Sequence, residues 1–277
     1  MKNESLVILA GGASSRMKKS LSATSLDGET LQIAKKLHKS LIPVGKDKRP
    51  LLYYLLKNAL AAQIKRVYII TSVENGAFKE FAKKIDGVVN IDFAVQYIPE
   101  NREKPLGTAD ALQQCLEQYP DLLKERFTVC NGDNLYSTGA FMDLKKDREA
   151  PNALISYSSE GLKFSRERIA KFALMHIDAG GFLQDIVEKP KEDELDAYRD
   201  ANGILRVSMN IFNFSGEVIY PYLKNCKLDP IRNEKELPKA VCNLVHESSK
   251  SVLCYPRTEH IPDLTDANDI EKFITPD

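Results

Sequence analysis

The spacing of apolar and polar positions changes character near the middle of the chain. In the first half, short apolar runs alternate with segments whose apolar residues recur every three to four positions. Residues 5–10, 67–71, 92–97 and 127–130 read as strands, and residues 50–62, 77–85 and 108–118 carry helical spacing. That alternation predicts right-handed βαβ units and a parallel, doubly wound sheet. In the second half, residues 153–158, 168–176, 181–188 and 206–214 read as strands, and the Ala179-Gly180-Gly181 turn favours a hairpin. A mixed-sheet extension packed on the parallel half is the expected result. No repeat and no Pro/Gly/Ser linker divides the chain, so residues 1–277 are expected to form a single domain. Residues 18–38 are polar and rich in Ser, Thr and Lys, the composition of an exposed insertion or partly ordered flap.

Composition narrows the class. A hydrophobic content of 43% in 277 residues suffices for a sizeable core. Lys plus Arg and Asp plus Glu both total 39, so the chain has no basic footprint for nucleic acid or anionic membranes. A local basic site for a small phosphate ligand remains allowed. No apolar run approaches the roughly 20 residues of a membrane span. The opening run, residues 6–10, is too short for a secretory signal. Cysteines 115, 130, 226, 242 and 254 show no CxxC spacing. A reduced, cytoplasmic setting is therefore expected rather than a disulfide framework or zinc site. Histidines 38, 176, 246 and 260 show neither metal-ligand spacing nor a triad and are assigned packing or surface roles.

The chemistry begins after the first strand, at Leu9-Ala10-Gly11-Gly12-Ala13-Ser14-Ser15-Arg16-Met17. Gly11 and Gly12 permit a sharp turn and close approach to phosphates. The Ser14 and Ser15 hydroxyls can donate hydrogen bonds, and Arg16 supplies a permanent positive fork. The loop is neither the GxGxxG dinucleotide pattern, which argues against a nicotinamide-dependent oxidoreductase, nor a P-loop.

This loop resembles the signature of the nucleotidyltransferases that make nucleotide sugars and related activated metabolites, and the resemblance continues in order along the chain. Lys39-Ser40-Leu41-Ile42-Pro43-Val44 followed by Pro50-Leu51-Leu52 is similar to the family's lysine segment. Gln96 and Leu106-Gly107-Thr108-Ala109 resemble its nucleotide-base segment. Asn131-Gly132-Asp133-Asn134 resembles the strand-end aspartate motif and Val187-Glu188-Lys189-Pro190 the acceptor motif. Pro262-Asp263-Leu264-Thr265 stands where the second metal aspartate is expected.

The resemblance implies a Rossmann-like sheet of the nucleotide-diphospho-sugar transferase type with an acceptor-side mixed extension. Residues 1–150 would form mainly the nucleotide half and 151–277 mainly the acceptor half. Asp133 and Asp263 would hold Mg²⁺, which favours a few carboxylates with substrate phosphates and water. Arg16 and Lys39 would offset triphosphate charge, with Lys46 and Lys48 as competitors for Lys39 because residues 18–38 lengthen the loop. Ala10, Gly11, Gly12, Ser14, Ser15, Gln96, Gly107 and Thr108 would bind the nucleotide. Lys189 would take the acceptor phosphate, Glu188 an acceptor hydroxyl, and Asn210 occupies a position where sugar-using relatives often have glycine. The expected partners are a nucleoside triphosphate and a phosphorylated small molecule, first a sugar 1-phosphate. An alditol phosphate or phosphorylated amino alcohol is the runner-up acceptor, and a catalytically idle nucleotide-sugar-binding protein is the rival class. The chain ends soon after Asp263, so no long C-terminal acyltransferase or repeat domain is expected.

Overall fold

The first apolar run forms β1 (Ser5–Leu9), a strand hydrogen-bonded on both sides and therefore apolar at successive positions. It lies inside a nine-stranded sheet in a computed structural model that describes residues 1–23, 26, 28–85 and 89–273. The small hairpin of β2 (Pro43–Val44) and β3 (Arg49–Pro50) stands apart from that sheet. The others are β4 (Arg66–Thr71), β5 (Asn90–Val95), β6 (Arg126–Asn131), β7 (Asn152–Ser158), β8 (Ala173–Ile177), β9 (Leu183–Glu188), β10 (Arg206–Ser215) and β11 (Val252–Arg257). The main order is β11-β7-β10-β6-β1-β4-β5, with β8 on β10 and β9 on β8.

Helices occupy both faces: α1 (Ser15–Ser20), α2 (Gly28–Lys36), α3 (Leu51–Ala61), α4 (Gly76–Lys83), α5 (Thr108–Gln118), α6 (Thr138–Lys145), α7 (Arg166–Ile169), α8 (Gly216–Lys224), α9 (Leu237–Glu247) and α10 (Ala267–Lys272). Alternation along β1 sends Leu6 and Ile8 into one core with Leu52 and Leu55 of α3 and Phe141 of α6. Val7 enters the opposite core with Leu112 of α5, Leu223 of α8 and Val241 of α9. Each fully buried side chain of this size contributes about 1.5–3 kcal/mol through removal from water. Helix α3 follows Pro50, and its apolar positions 51, 52, 55, 56 and 59 trace one helical face. Among the described residues no helix is long and apolar enough to cross a membrane.

The doubly wound, mostly parallel sheet and its mixed extension agree with the pattern reading. Strands β4, β1 and β6 run parallel, and β10 turns antiparallel between β6 and β7. The expected strand over 168–176 needs correction: its beginning is α7, capped where the Ser165 hydroxyl accepts the Arg168 amide at 3.2 Å, and β8 starts only at Ala173. Helices α6, α8, α9 and α10 and strand β11 lie in stretches that carried no assignment. Of residues 18–38, positions 24, 25 and 27 fall outside the described residues, and α2 occupies half of the remainder. The five cysteines are buried thiols, and burial pushes Cys115 and Cys242 up to about 12.

Strand order sets the location of the site. From β1 the chain moves to β4 and β5 on one side, then returns to place β6 on the other. The carboxyl ends of β1 and β6 therefore border the crevice where open α/β sheets receive ligands.

Candidate active site at the strand carboxyl ends

The glycine loop leaves β1 and turns at Ser14, whose φ of 53° is left-handed. The Lys39 amide donates to the Ser14 hydroxyl at 3.3 Å, tying this loop to the helical turn Lys39–Leu41. His38 makes a second tie: its Nδ1 accepts the Ser40 amide at 3.2 Å, and its ring donates to the Gly12 carbonyl. These restraints set the Lys39 ammonium against the Asp133 carboxylate in a salt bridge, both side chains less than a fifth exposed (16% and 17%). Lys46 and Lys48 are exposed in the β2–β3 turn and line neither cleft.

A cleft of about 390 Å³ opens beside this arrangement, lined by Gly11, Gly12, Ser15, Lys39, Gln96, Gly107, Thr108 and Asp133. Two residues expected at the nucleotide do not line it. Ala10 is buried with its amide on the Ile70 carbonyl at 2.9 Å, and the Ser14 hydroxyl is turned to Lys39. Gly107 adopts φ +113°, and a β-carbon there would meet the Lys235 carbonyl oxygen at 2.5 Å. Its own carbonyl accepts from Gln96 Nε2 at 2.9 Å.

A second cleft of about 520 Å³ is lined by Arg16, Glu188, Lys189, Asn210 and Asp263. Thr108, Asn131, Asp133 and Glu234 line both clefts. Asn210 sits where the β10–β7 register shifts, with φ 55° and a buried Oδ1 that has no partner among the described residues. A left-handed backbone is where glycine is commonest and asparagine the best-tolerated substitute. Lys189 is also left-handed, at φ 48°. The Glu188 carboxylate reaches solvent at the cleft mouth, yet the surrounding walls push its pKa upward; the Arg232 charge opposes this and Asp229 adds to it.

The C-terminal segment reaches the site through a short antiparallel contact. Leu135 donates to the Pro262 carbonyl at 3.0 Å and Leu264 to the Asp133 carbonyl at 2.9 Å. Asp263 is thereby brought beside Asp133 and is held by Asn134 Nδ2 (3.2 Å), Thr265 Oγ1 (2.5 Å) and Arg168 Nη2 (3.0 Å). Arg168 in turn bonds Asp269 at 2.7 Å. Burial, and then the neighbouring Asp133 charge, raise the Asp263 pKa against the bonds from Thr265 and Arg168.

Asp133 and Asp263 stand side by side, with the Asp133 charge weighing on the Asp263 carboxylate, and form a two-carboxylate donor set of the kind a divalent cation takes. Among the described residues no group of three or more His, Cys, Asp or Glu converges as a cage. Magnesium needs none when substrate phosphates and water complete its shell, so the pair fits that ion.

His38, Arg168 and Glu234 escaped the pattern reading. His38 showed only the absence of metal spacing, whereas its function as a loop clamp depends on contacts to Gly12 and Ser40. The apolar spacing over 168–176 places Arg168 in a strand, although Ser165-Arg166-Glu167 is a helix-start signal. Glu234 lies on the α8–α9 connection, which carried no motif.

The clamp has a measurable consequence. Burial pushes the His38 pKa down to about 4, with Lys39 and Lys18 adding to the effect and Asp133 opposing it. The unfolded chain, with His near 6.5, binds more protons between these values, so stability is full above pH 6.5 and declines as pH falls toward 4. At about 1.4 kcal/mol for each unit, the ring contributes at most about 3.5 kcal/mol to that decline. Melting temperatures measured from pH 7 to 4.5 should fall less steeply in His38→Gln, whose amide can still bridge Ser40 and Gly12. An unchanged slope would remove His38 from the account.

A family model described as "Nucleotidyl transferase" matches residues 5–261. Among solved structures, the chain is similar to a UDP-glucose pyrophosphorylase complexed with UDP-glucose, at 15% identity and a TM-score of 0.71. The match covers 98% of this chain and 97% of that one, and at such identity the likeness is one of fold.

Proposed function

The chain belongs to the nucleotidyl transferase family, and from that premise we propose that it transfers a nucleoside monophosphate from an NTP to a sugar 1-phosphate, releasing pyrophosphate. The observation that carries this reading is the position of Asp133, which lines both clefts at the end of β6 beside Asp263. A group there can serve a donor phosphate on one side and an acceptor phosphate on the other.

Gly11, Gly12 and Ser15 bind the triphosphate through backbone amides and a hydroxyl, with Lys39 carrying part of its charge. Gln96, Gly107 and Thr108 receive the base side. Lys189 holds the acceptor phosphate, Glu188 a sugar hydroxyl, and Asn210 lies against the sugar. An acceptor phosphate oxygen attacks the α-phosphorus, and the bond from that phosphorus to the bridging oxygen breaks. The electron pair leaves with pyrophosphate, which Arg16 stabilises. The attacking oxygen is already ionised, so the step needs no enzyme base and no covalent enzyme intermediate; orientation and charge neutralisation supply the catalysis. Magnesium bound by Asp133 and Asp263 would neutralise charge on the α-phosphate and the departing pyrophosphate. In this arrangement residues 1–150 provide most of the donor site and 151–277 most of the acceptor site.

A panel assay separates the acceptor classes. Pyrophosphate release should require magnesium and be fastest with a sugar 1-phosphate, and alditol phosphates and phosphorylated amino alcohols should be poor substrates. Faster turnover of either of those would overturn the sugar assignment. Nucleotide binding with no pyrophosphate from any acceptor would instead favour a binding protein.

A further inference from the structure

The two carboxylates at the carboxyl end of β6 are each matched by one cation, and the cations come from different halves of the chain. Asp133 is paired with Lys39, from the segment tied to the glycine loop. Asp263 is paired with Arg168 of α7, whose Nη2 meets Oδ2 at 3.0 Å and the Asp263 carbonyl at 3.2 Å. The other two bonds to the Asp263 side chain come from neutral groups, Asn134 Nδ2 on Oδ1 at 3.2 Å and Thr265 Oγ1 on Oδ2 at 2.5 Å. These orient the carboxylate but bring no charge. Arg168 is its only cationic partner among the described residues. With two donors on Oδ2 and one on Oδ1, a lone pair on Oδ1 is left for a further ligand.

Arg168 has little freedom to leave. Its backbone amide is capped by the Ser165 hydroxyl at 3.2 Å, and its guanidinium carbon lies 4.5 Å from the centroid of the Phe164 ring. Asp269 takes Nη1 at 2.7 Å and Nη2 at 3.2 Å. That carboxylate is also served by the Thr265 and Asp266 amides, at 2.8 Å and 3.0 Å. One guanidinium thus carries the positive charge for two nearly inaccessible carboxylates, Asp263 and Asp269.

We propose that Arg168 is a positioning residue acting through Asp263: it is the fixed counter-ion against which a divalent cation must bind, and it lowers the affinity of the carboxylate pair for that cation. The proposal rests on Asp133 and Asp263 being the metal pair of the transfer described above. A cation on Oδ1 of Asp263 shares that carboxylate with the guanidinium, and two positive charges so close repel. A group that merely braced Asp263 would act in the opposite direction, because its loss would disorder a ligand and weaken metal binding. The sign of the change separates the two roles.

Manganese titrations of the full chain, with free Mn²⁺ counted by electron paramagnetic resonance, test this, since manganese takes the same oxygen donors as magnesium. Arg168→Gln removes the charge and keeps an amide that can donate to Asp263; it should bind Mn²⁺ at least about tenfold more tightly than the wild type. Arg168→Lys restores the charge and should return the affinity to within about threefold of the wild type. Asp269→Asn leaves the guanidinium to Asp263 alone and should weaken binding by about threefold or more, an independent reading if Arg168→Gln melts too low to titrate. Unchanged or weaker binding in folded Arg168→Gln overturns the assignment, as does Arg168→Lys as tight as Arg168→Gln, or unchanged or tighter binding in Asp269→Asn. Asp263→Asn identifies the site. If it loses Mn²⁺ while Arg168→Gln gains no affinity, the metal pair stands and only the role of Arg168 falls. If it binds Mn²⁺ as the wild type does, the metal pair fails and takes this inference with it.

Discussion

Asp133→Ala should lose pyrophosphate release by about a thousandfold or more, while its melting temperature stays within a few degrees of the wild type. The magnitude follows from removing a charge-organising group from the transition state; loss of even one well-placed neutral donor costs about 10²–10³ in kcat. The fold should tolerate the change because the Asp133 carbonyl, not its side chain, receives the Leu264 amide that anchors the C-terminal segment. What the side chain does hold is the Lys39 ammonium. Paired activity and melting measurements distinguish the two roles. Comparable turnover in the variant would show that the carboxylate serves only to restrain Lys39.

Gly107→Ala should show the reverse balance, with a large loss of stability and weakened nucleotide binding. Its φ of +113° is unfavourable for any residue bearing a β-carbon, and that carbon would lie 2.5 Å from the Lys235 carbonyl oxygen and 3.0 Å from the Lys235 nitrogen. Both obstacles are backbone, so no rotamer change relieves them. Strain together with overpacking costs about 3 kcal/mol or more, which corresponds to a fall of roughly 6–12 °C in melting temperature. The Lys235 strand of contacts, its amide on Leu106 at 2.5 Å and its carbonyl on Ala109 at 2.9 Å, would have to shift, and Gln96 would lose its carbonyl partner. Gly12→Ala is the control. No heavy atom lies within 4 Å of its β-position, so the fold should be little affected.

These contrasts show what could be read in one dimension. The parallel core was legible because β1, β4 and β6 are buried on both faces and so appear as unbroken apolar runs. The glycine loop, the Asp133 turn and Glu188-Lys189 were legible because each follows such a run, and loops at strand carboxyl ends are where ligands meet an α/β sheet. Arg168 was hidden because a four-residue helix has too few positions to display a period. Asp110 was hidden in a different way: it sits in the first turn of α5, and its buried hydrogen bond with Gln96, 14 positions earlier, has no counterpart in the spacing. Asp263 needed both kinds of information, since its short motif marked a candidate and only the contact with Asn134 and Leu135 brings it to Asp133. Lys46 and Lys48 show the converse. They competed with Lys39 on spacing alone, and the β2–β3 turn carries them away from the clefts.

The most direct test of nucleotidyl transfer is to identify both products in one reaction by phosphorus NMR. Wild-type protein incubated with magnesium, UTP and a panel of sugar 1-phosphates should yield pyrophosphate and a sugar-linked diphosphate in equal amounts, the latter as two coupled phosphorus resonances. Omission of the sugar phosphate should stop both. Formation of UDP and inorganic phosphate in place of these products would contradict the account, as would an unchanged UTP spectrum across the whole panel and with the other nucleoside triphosphates.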